Sequence, residues 1–135
     1  MKKNIMIIML ITLSTFSLAS TNIRGGVRGG GISMGMDTNS NVTENWNLGY
    51  GASIIQSVQN PLGVFVSLTN PLDTKNYPAY ITMGPIAYFG NAASIGAFVH
   101  LGWVGLFNTG GLRFETGLEI YNNRSEVNAE LILPL

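Results

Sequence analysis

Residues 93–103 read Ala-Ser-Ile-Gly-Ala-Phe-Val-His-Leu-Gly-Trp. Ala93, Ile95, Ala97, Val99, Leu101 and Trp103 alternate with Ser94, Gly96, Phe98, His100 and Gly102. A period of two marks a β-strand with two unlike faces, because successive side chains leave a strand on opposite sides. One face here is apolar, and the other carries small or polar residues with Phe98 among them.

The same alternation spreads in both directions. Downstream, Leu112, Phe114, Thr116, Leu118 and Ile120 oppose Arg113, Glu115, Gly117, Glu119 and Tyr121. After a short Asn122-Asn123 turn, Val127, Ala129, Leu131, Leu133 and Leu135 oppose Glu126, Asn128, Glu130, Ile132 and Pro134. Upstream, Ile32, Met34 and Met36 alternate with Gly31, Ser33 and Gly35, and Trp46, Leu48, Tyr50, Ala52 and Ile54 with Asn47, Gly49, Gly51 and Ser53. Leu62, Val64, Val66 and Leu68 oppose Gly63, Phe65, Ser67 and Thr69. A further strand is expected over Ala79–Phe89, with Ile81, Met83, Ala87 and Phe89 on one side. Pro85 shares that side and, having no N–H to give a ladder, argues for an edge, a bulge or a register break.

Turn residues punctuate these runs: Gln59-Asn60-Pro61, Asn70-Pro71-Leu72-Asp73, Gly90-Asn91 and Asn108-Thr109-Gly110-Gly111. No stretch after residue 20 keeps a helical period over three turns. Seven strands are legible, and Val104–Phe107 is the expected eighth. Their spacing fits an all-β, antiparallel up-and-down β-barrel of about eight strands. A count of seven would instead imply an oligomeric barrel or an open sheet, since single-chain bacterial barrels have even strand numbers.

The N-terminus reads as an export signal. Lys2 and Lys3 precede an apolar run from Ile5 to Phe16, and Ser17-Leu18-Ala19 places small residues before a cut after Ala19. The run is short for a membrane-spanning helix, which needs about 20 apolar residues, and no cysteine follows it to carry a lipid anchor. The expected organisation is therefore a signal peptide at 1–19, a flexible Gly/Arg lead-in at 20–30 (Arg24 and Arg28 among glycines that cost backbone entropy to order) and a β-barrel domain at 31–135.

Composition excludes several function classes. The whole chain has seven basic and seven acidic residues, and losing Lys2 and Lys3 leaves a mild excess of acid, so a nucleic-acid partner is not expected. With no cysteine and one histidine, no metal-ligand cluster can be assembled from those residues. The glycine run at 25–31 lacks the flanking strand and lysine-serine of a phosphate loop. No cofactor and no metal are expected.

Periodicity does not say which face is inside. Small exported domains commonly stabilise a small core with disulfides, which are absent here. A barrel whose apolar face is buried in lipid and whose edges are all paired offers another source of stability. Three features favour that inverted arrangement. Gly49, Gly51, Gly63, Gly96, Gly102 and Gly117 crowd the polar face with Ser53, Ser67 and Ser94, whereas a water-facing surface usually carries lysine and glutamate. Arg113, Glu115, Glu119, Glu126 and Glu130 share the polar face of the last hairpin and read as an interior ion-pair network. The better strands have the length that crosses a membrane at a tilt, and Trp46, Trp103, Tyr50, Tyr77, Tyr80, Tyr88, Phe89 and Phe107 fall mostly near strand ends, as an aromatic girdle would.

In these features the chain resembles the small eight-stranded outer-membrane β-barrel proteins of Gram-negative bacteria, over most of residues 30–135. The resemblance is one of architecture, with no specific family motif. It implies a transmembrane β-barrel of the cell envelope, with membrane lipid and the barrel-assembly machinery as partners.

No catalytic set is assigned. His100 is the one candidate, on the polar face with Ser94 six residues before it; some outer-membrane lipid hydrolases use a serine-histidine pair, but with the serine two residues after the histidine, where Gly102 stands. A hydrogen-bonded lumen histidine is the preferred reading. Glu115 and Glu119 lie four apart on one face, yet nothing suggests the sugar groove of a glycosidase pair. The loops Asp37–Asn45 and Asn70–Pro78 are the longest polar connections and could make surface contacts, but neither has the aromatic and arginine anchors of a strong binding hot spot. Three hypotheses follow: a non-enzymatic outer-membrane barrel with a filled lumen, serving envelope structure or surface contact; a soluble periplasmic or secreted β-sandwich or lipocalin-like binding module, with Leu48, Val64, Val66, Ile95, Val99, Phe114 and Leu118 in its core; and an outer-membrane lipid hydrolase.

Overall fold

The computed structural model describes residues 20–28, 30–56, 59–72, 78–108, 110–122 and 124–135. The expected signal peptide, 1–19, lies outside them, as do 73–77 of the second polar loop. The chain is all-β: β1 (Ser20–Arg28), β2 (Gly31–Asn41), β3 (Asn47–Ile55), β4 (Leu62–Leu72), β5 (Ala79–Phe89), β6 (Ser94–Val104), β7 (Arg113–Tyr121) and β8 (Arg124–Pro134). Each strand pairs antiparallel with the next, and β1 pairs with β8, so the eight form a closed barrel.

The eighth strand comes from an unexpected place. The segment 20–30, expected as a flexible lead-in, supplies β1, which pairs with β2 over its whole length and with β8 from Asn22↔Pro134 to Val27↔Ala129. Gly26 serves close approach rather than flexibility. A Cβ on Gly26 would collide with the Ala129 carbonyl and stand 2.7 Å from the Glu130 Cα, so only glycine lets β1 lie this tightly on β8. Val104–Phe107 is correspondingly not a strand. β6 ends at Val104, and a single 3-10 turn at Leu106–Asn108 follows, with Phe107 at φ 57° and Asn108 at φ 56°.

Pro85 sits inside β5 and produces neither an edge nor a slip. Phe65↔Ile86 and Leu68↔Met83 are in the same register on either side of it, and the β4–β5 ladder is interrupted only between them. Because the barrel closes, the missing donor costs one local gap while β6 continues unbroken alongside, through Pro85↔Ala97.

The faces are inverted relative to a soluble protein. Met34, Ile54, Ile95, Val99, Leu118 and Val127 are exposed, Ile95 to 76%, whereas Arg28 and Glu119 are completely buried at 0%. Six of the residues that a soluble β-sandwich or lipocalin-like module needs in its core (Leu48, Val64, Val66, Ile95, Val99 and Leu118) are exposed, and Phe114 is half-buried on the outer face against Trp103. Tyr80 and Tyr88 depart from the expected girdle: both rings are buried inside.

Inside, Ile55, Phe65, Ile86, Tyr88 and Phe98 form an apolar cluster, with the Phe65 and Phe98 rings edge to face at 5.9 Å. Beside it a cavity of only about 20 Å³ remains between Arg24, Asp37, Thr82 and Glu115, room for about one water. The interior of an eight-stranded barrel is just wide enough for side chains to fill, and here they fill it.

Candidate functional site

The interior is organised around two arginines that the strand period of β1 places on one face. Asn22, Arg24, Gly26 and Arg28 point inward while Ile23 and Val27 point out. Across the barrel β7 contributes Glu115 and Glu119, β8 contributes Glu130, and β2 contributes Asp37. Glu115 and Glu130 stand directly opposite each other in the β7–β8 register, where two like charges would repel.

Arg24 resolves that repulsion. Its Nη2 lies 2.7 Å from Glu115 Oε2 and 2.7 Å from Glu130 Oε2, and its Nη1 lies 3.0 Å from Asp37 Oδ2. Arg28 lies with Nε 3.0 Å from Glu119 Oε1 and Nη2 3.4 Å from Glu130 Oε2, and Nη1 donates to Ser53 Oγ at 3.2 Å. The Arg28–Glu119 contact is a charge pair off hydrogen-bond alignment. Both guanidinium groups also sit over the Phe65 ring, at 5.0 and 5.5 Å from its centre, a cation–π contact strengthened by desolvation.

The remaining lone pairs of the carboxylates are met by neutral donors. Tyr80 Oη donates to Glu115 Oε1 at 2.7 Å, Ser33 Oγ to Glu130 Oε1 at 3.0 Å, Asn22 Nδ2 to Asp37 Oδ1 at 2.5 Å, and Tyr88 Oη to Glu119. Buried charges cost several kcal/mol each unless paired and hydrogen-bonded, and this lattice supplies both. It therefore ties six strands (β1, β2, β3, β5, β7 and β8) across the interior, a direction in which the backbone ladders do not act.

Of the residues expected to form the network, Glu115, Glu119 and Glu130 come together in it. Arg113, expected as their counter-ion, does not occupy that role: it is half-buried nearer one mouth, donates through Nη2 to Asn22 Oδ1 at 2.5 Å and lies over the Tyr80 ring. Glu126 stands apart, at the opposite mouth. The reason is depth, since Arg113 and Arg124 are strand-end residues while Arg24 reaches the barrel's middle. The sequence reading does not reach Arg24, Arg28 or Asp37: the glycines mask the period-two alternation of 22–28, and Asp37 stands at the head of an Asn-, Ser- and Thr-rich stretch that reads as a loop.

His100 is fully buried, with Nδ1 3.5 Å from Glu115 Oε2 and Nε2 3.4 Å from Asn128 Nδ2. Thr82 and Gly117 flank it in register. Ser94 is six residues along the same strand, about 20 Å away at some 3.3 Å per residue, so the two are not brought together. Glu115 and Glu119 are both held by arginines, with no groove between them. Among the described residues no group of His, Asp or Glu side chains is arranged to hold a metal ion.

The connections are short. At one end the strands are joined through 42–46, 73–78 and 105–112; at the other through 29–30, 56–61, 90–93 and 122–123. Most of the first polar loop, Asp37–Asn41, is in fact β2. Comparison of the chain with protein-family models, with curated proteins and with solved structures finds no match.

Proposed function

We propose that this chain is a non-enzymatic outer-membrane β-barrel of a Gram-negative envelope, exported by a signal peptide cut after Ala19 and contributing to envelope structure or surface contact. The carrying observation is the apolar belt. Ile32, Met34, Ile54, Ile95, Leu118 and Val127, on five different strands, are among the most exposed residues of the barrel, and contiguous apolar surface beyond a few hundred Å² is rare on a monomer in water. Hydrocarbon around the barrel makes that belt favourable, while a closed ladder leaves no unpaired strand edge in lipid. Strands of 9 to 11 residues match the span of a tilted transmembrane strand. The charge lattice then acts as an internal brace, and a filled interior argues against a diffusion pore. Membrane lipid and the assembly machinery that inserts such barrels are the partners this reading requires.

Fractionation tests it. The protein should need detergent for extraction and should migrate faster on gels when unboiled than when boiled. Recovery in a periplasmic wash would overturn the membrane reading.

A further inference from the structure

At the end of the barrel away from the chain termini, the mouth opens into a cavity of about 530 Å³, within the size range of small-molecule sites. Its lining differs from the interior brace. Tyr88 and Tyr121 present two rings, 5.1 Å apart and tilted by 50°. Ser94 of β6, Asn60 of the 56–61 connection, and Arg124 and Glu126 of β8 add polar groups from three further segments. Ser94 is 3% exposed and its Oγ has no hydrogen-bond partner, and the same holds for the buried Oε2 of Glu126. Buried polar atoms in native proteins are overwhelmingly paired, so two such oxygens at one cavity mark a place where a ligand's hydrogen bonds belong.

We propose that this mouth is a binding site for a neutral saccharide. Two acceptor oxygens without donors call for a ligand bearing O–H groups, and Ser94 can answer both as donor and as acceptor. The half-buried Tyr121 ring offers an apolar face for the C–H side of a sugar ring, and the Tyr88 ring, 3% exposed, backs it from the interior. Arg124 and Glu126 balance each other in charge, so neither an anion nor a cation gains a net partner; the Glu126 carboxylate repels phosphate in particular. The walls are preformed. Asn91 N–H donates to the Gln59 carbonyl at 3.2 Å, Ala92 N–H to Asn60 Oδ1 at 3.1 Å, and Tyr88 Oη to Glu119. Nothing in this site depends on what surrounds the outer face, so it stands or falls separately from the membrane reading.

The test uses the full barrel, ¹⁵N-labelled and purified in mild detergent, titrated with N-acetylglucosamine, maltose, choline chloride and sodium phosphate while amide shifts are followed. Saturable shifts of Ser94, Tyr121, Asn122 and Glu126 with a sugar, and none with the two salts, are expected. Glu126→Gln should weaken sugar binding about tenfold, the weight of one hydrogen bond to a charged group. Ser94→Ala removes no hydrogen bond of the free barrel, so its fold is retained and a loss of affinity reads the site alone. Tighter binding of choline or phosphate than of either sugar, shifts that rise without saturating, or undiminished sugar affinity in both variants would each overturn the proposal.

Discussion

The ring of Tyr80 occupies the space where any residue other than glycine at position 102 would carry its Cβ: the two stand opposite each other in the β5–β6 register, and a Cβ there would fall among three atoms of the ring. That packing aims the phenol at Glu115. A small residue on one strand thus positions a donor for the charge lattice on another.

Gly102→Ala should displace the ring and break its hydrogen bond to Glu115, at a cost of about 2 kcal/mol. The urea midpoint of the refolded barrel measures it. Gly25→Ala is the control, because its new Cβ would meet nothing closer than the Ser33 carbonyl at 3.7 Å, and its midpoint should hardly move.

Arg24→Met leaves Asp37, Glu115 and Glu130 facing one another without their common cation. Removing one partner of a buried pair costs about 3–5 kcal/mol. Adding Glu130→Gln to the same chain relieves part of that repulsion, so the double variant should be more stable than Arg24→Met alone, a non-additivity expected of residues in direct contact. Strict additivity of the two losses would refute the lattice.

The outer face makes a depth-dependent prediction. Val99 lies near the middle of β6 and Leu133 near the end of β8. In lipid vesicles Val99→Arg should lower folding stability by about 2–4 kcal/mol and Leu133→Arg by about 0–1 kcal/mol. Equal, small effects at the two depths would mean that the belt does not meet hydrocarbon.

Deleting residues 20–28 removes β1 and exposes the edges of β2 and β8. The shortened chain should lose the boiling-dependent change in gel mobility and aggregate, as open edges promote pairing between chains. A dispensable lead-in would leave both properties intact.

His100→Ala should leave any release of fatty acid from phospholipid vesicles at the native chain's level, since Thr82 and Gly117, and no serine, flank the ring in register. It should nevertheless destabilise the barrel by about 1–3 kcal/mol, by stripping a buried neighbour from Glu115 and Asn128. A drop in lipid turnover with unchanged stability would point to catalysis instead.

Much of this was legible from residue order. Alternation over 47–54, 62–69, 79–89, 94–103 and 113–132 assigns strands and faces correctly, and the break expected at Pro85 does not occur, because a pleated strand repeats every two residues whatever packs against it. The same rule applied to 22–28 finds β1 once Gly26 is read as a site of close approach. The pairing of carboxylates with Arg24 rather than Arg113 was not legible, since both lie on inward faces and only their depth along the barrel separates them.

By itself, then, the sequence determined that there are strands with one oily and one small or charged side, punctuated by tight turns. Only the tertiary structure decided that the oily side looks outward, that residues 20–28 close the ring against β8, and that two arginines share the buried carboxylates. The reason is physical: a period of two is unchanged when inside and outside are exchanged, and closure and ion pairing join residues roughly a hundred positions apart in the chain, such as Arg24 and Glu130, 106 positions apart, which no local pattern records.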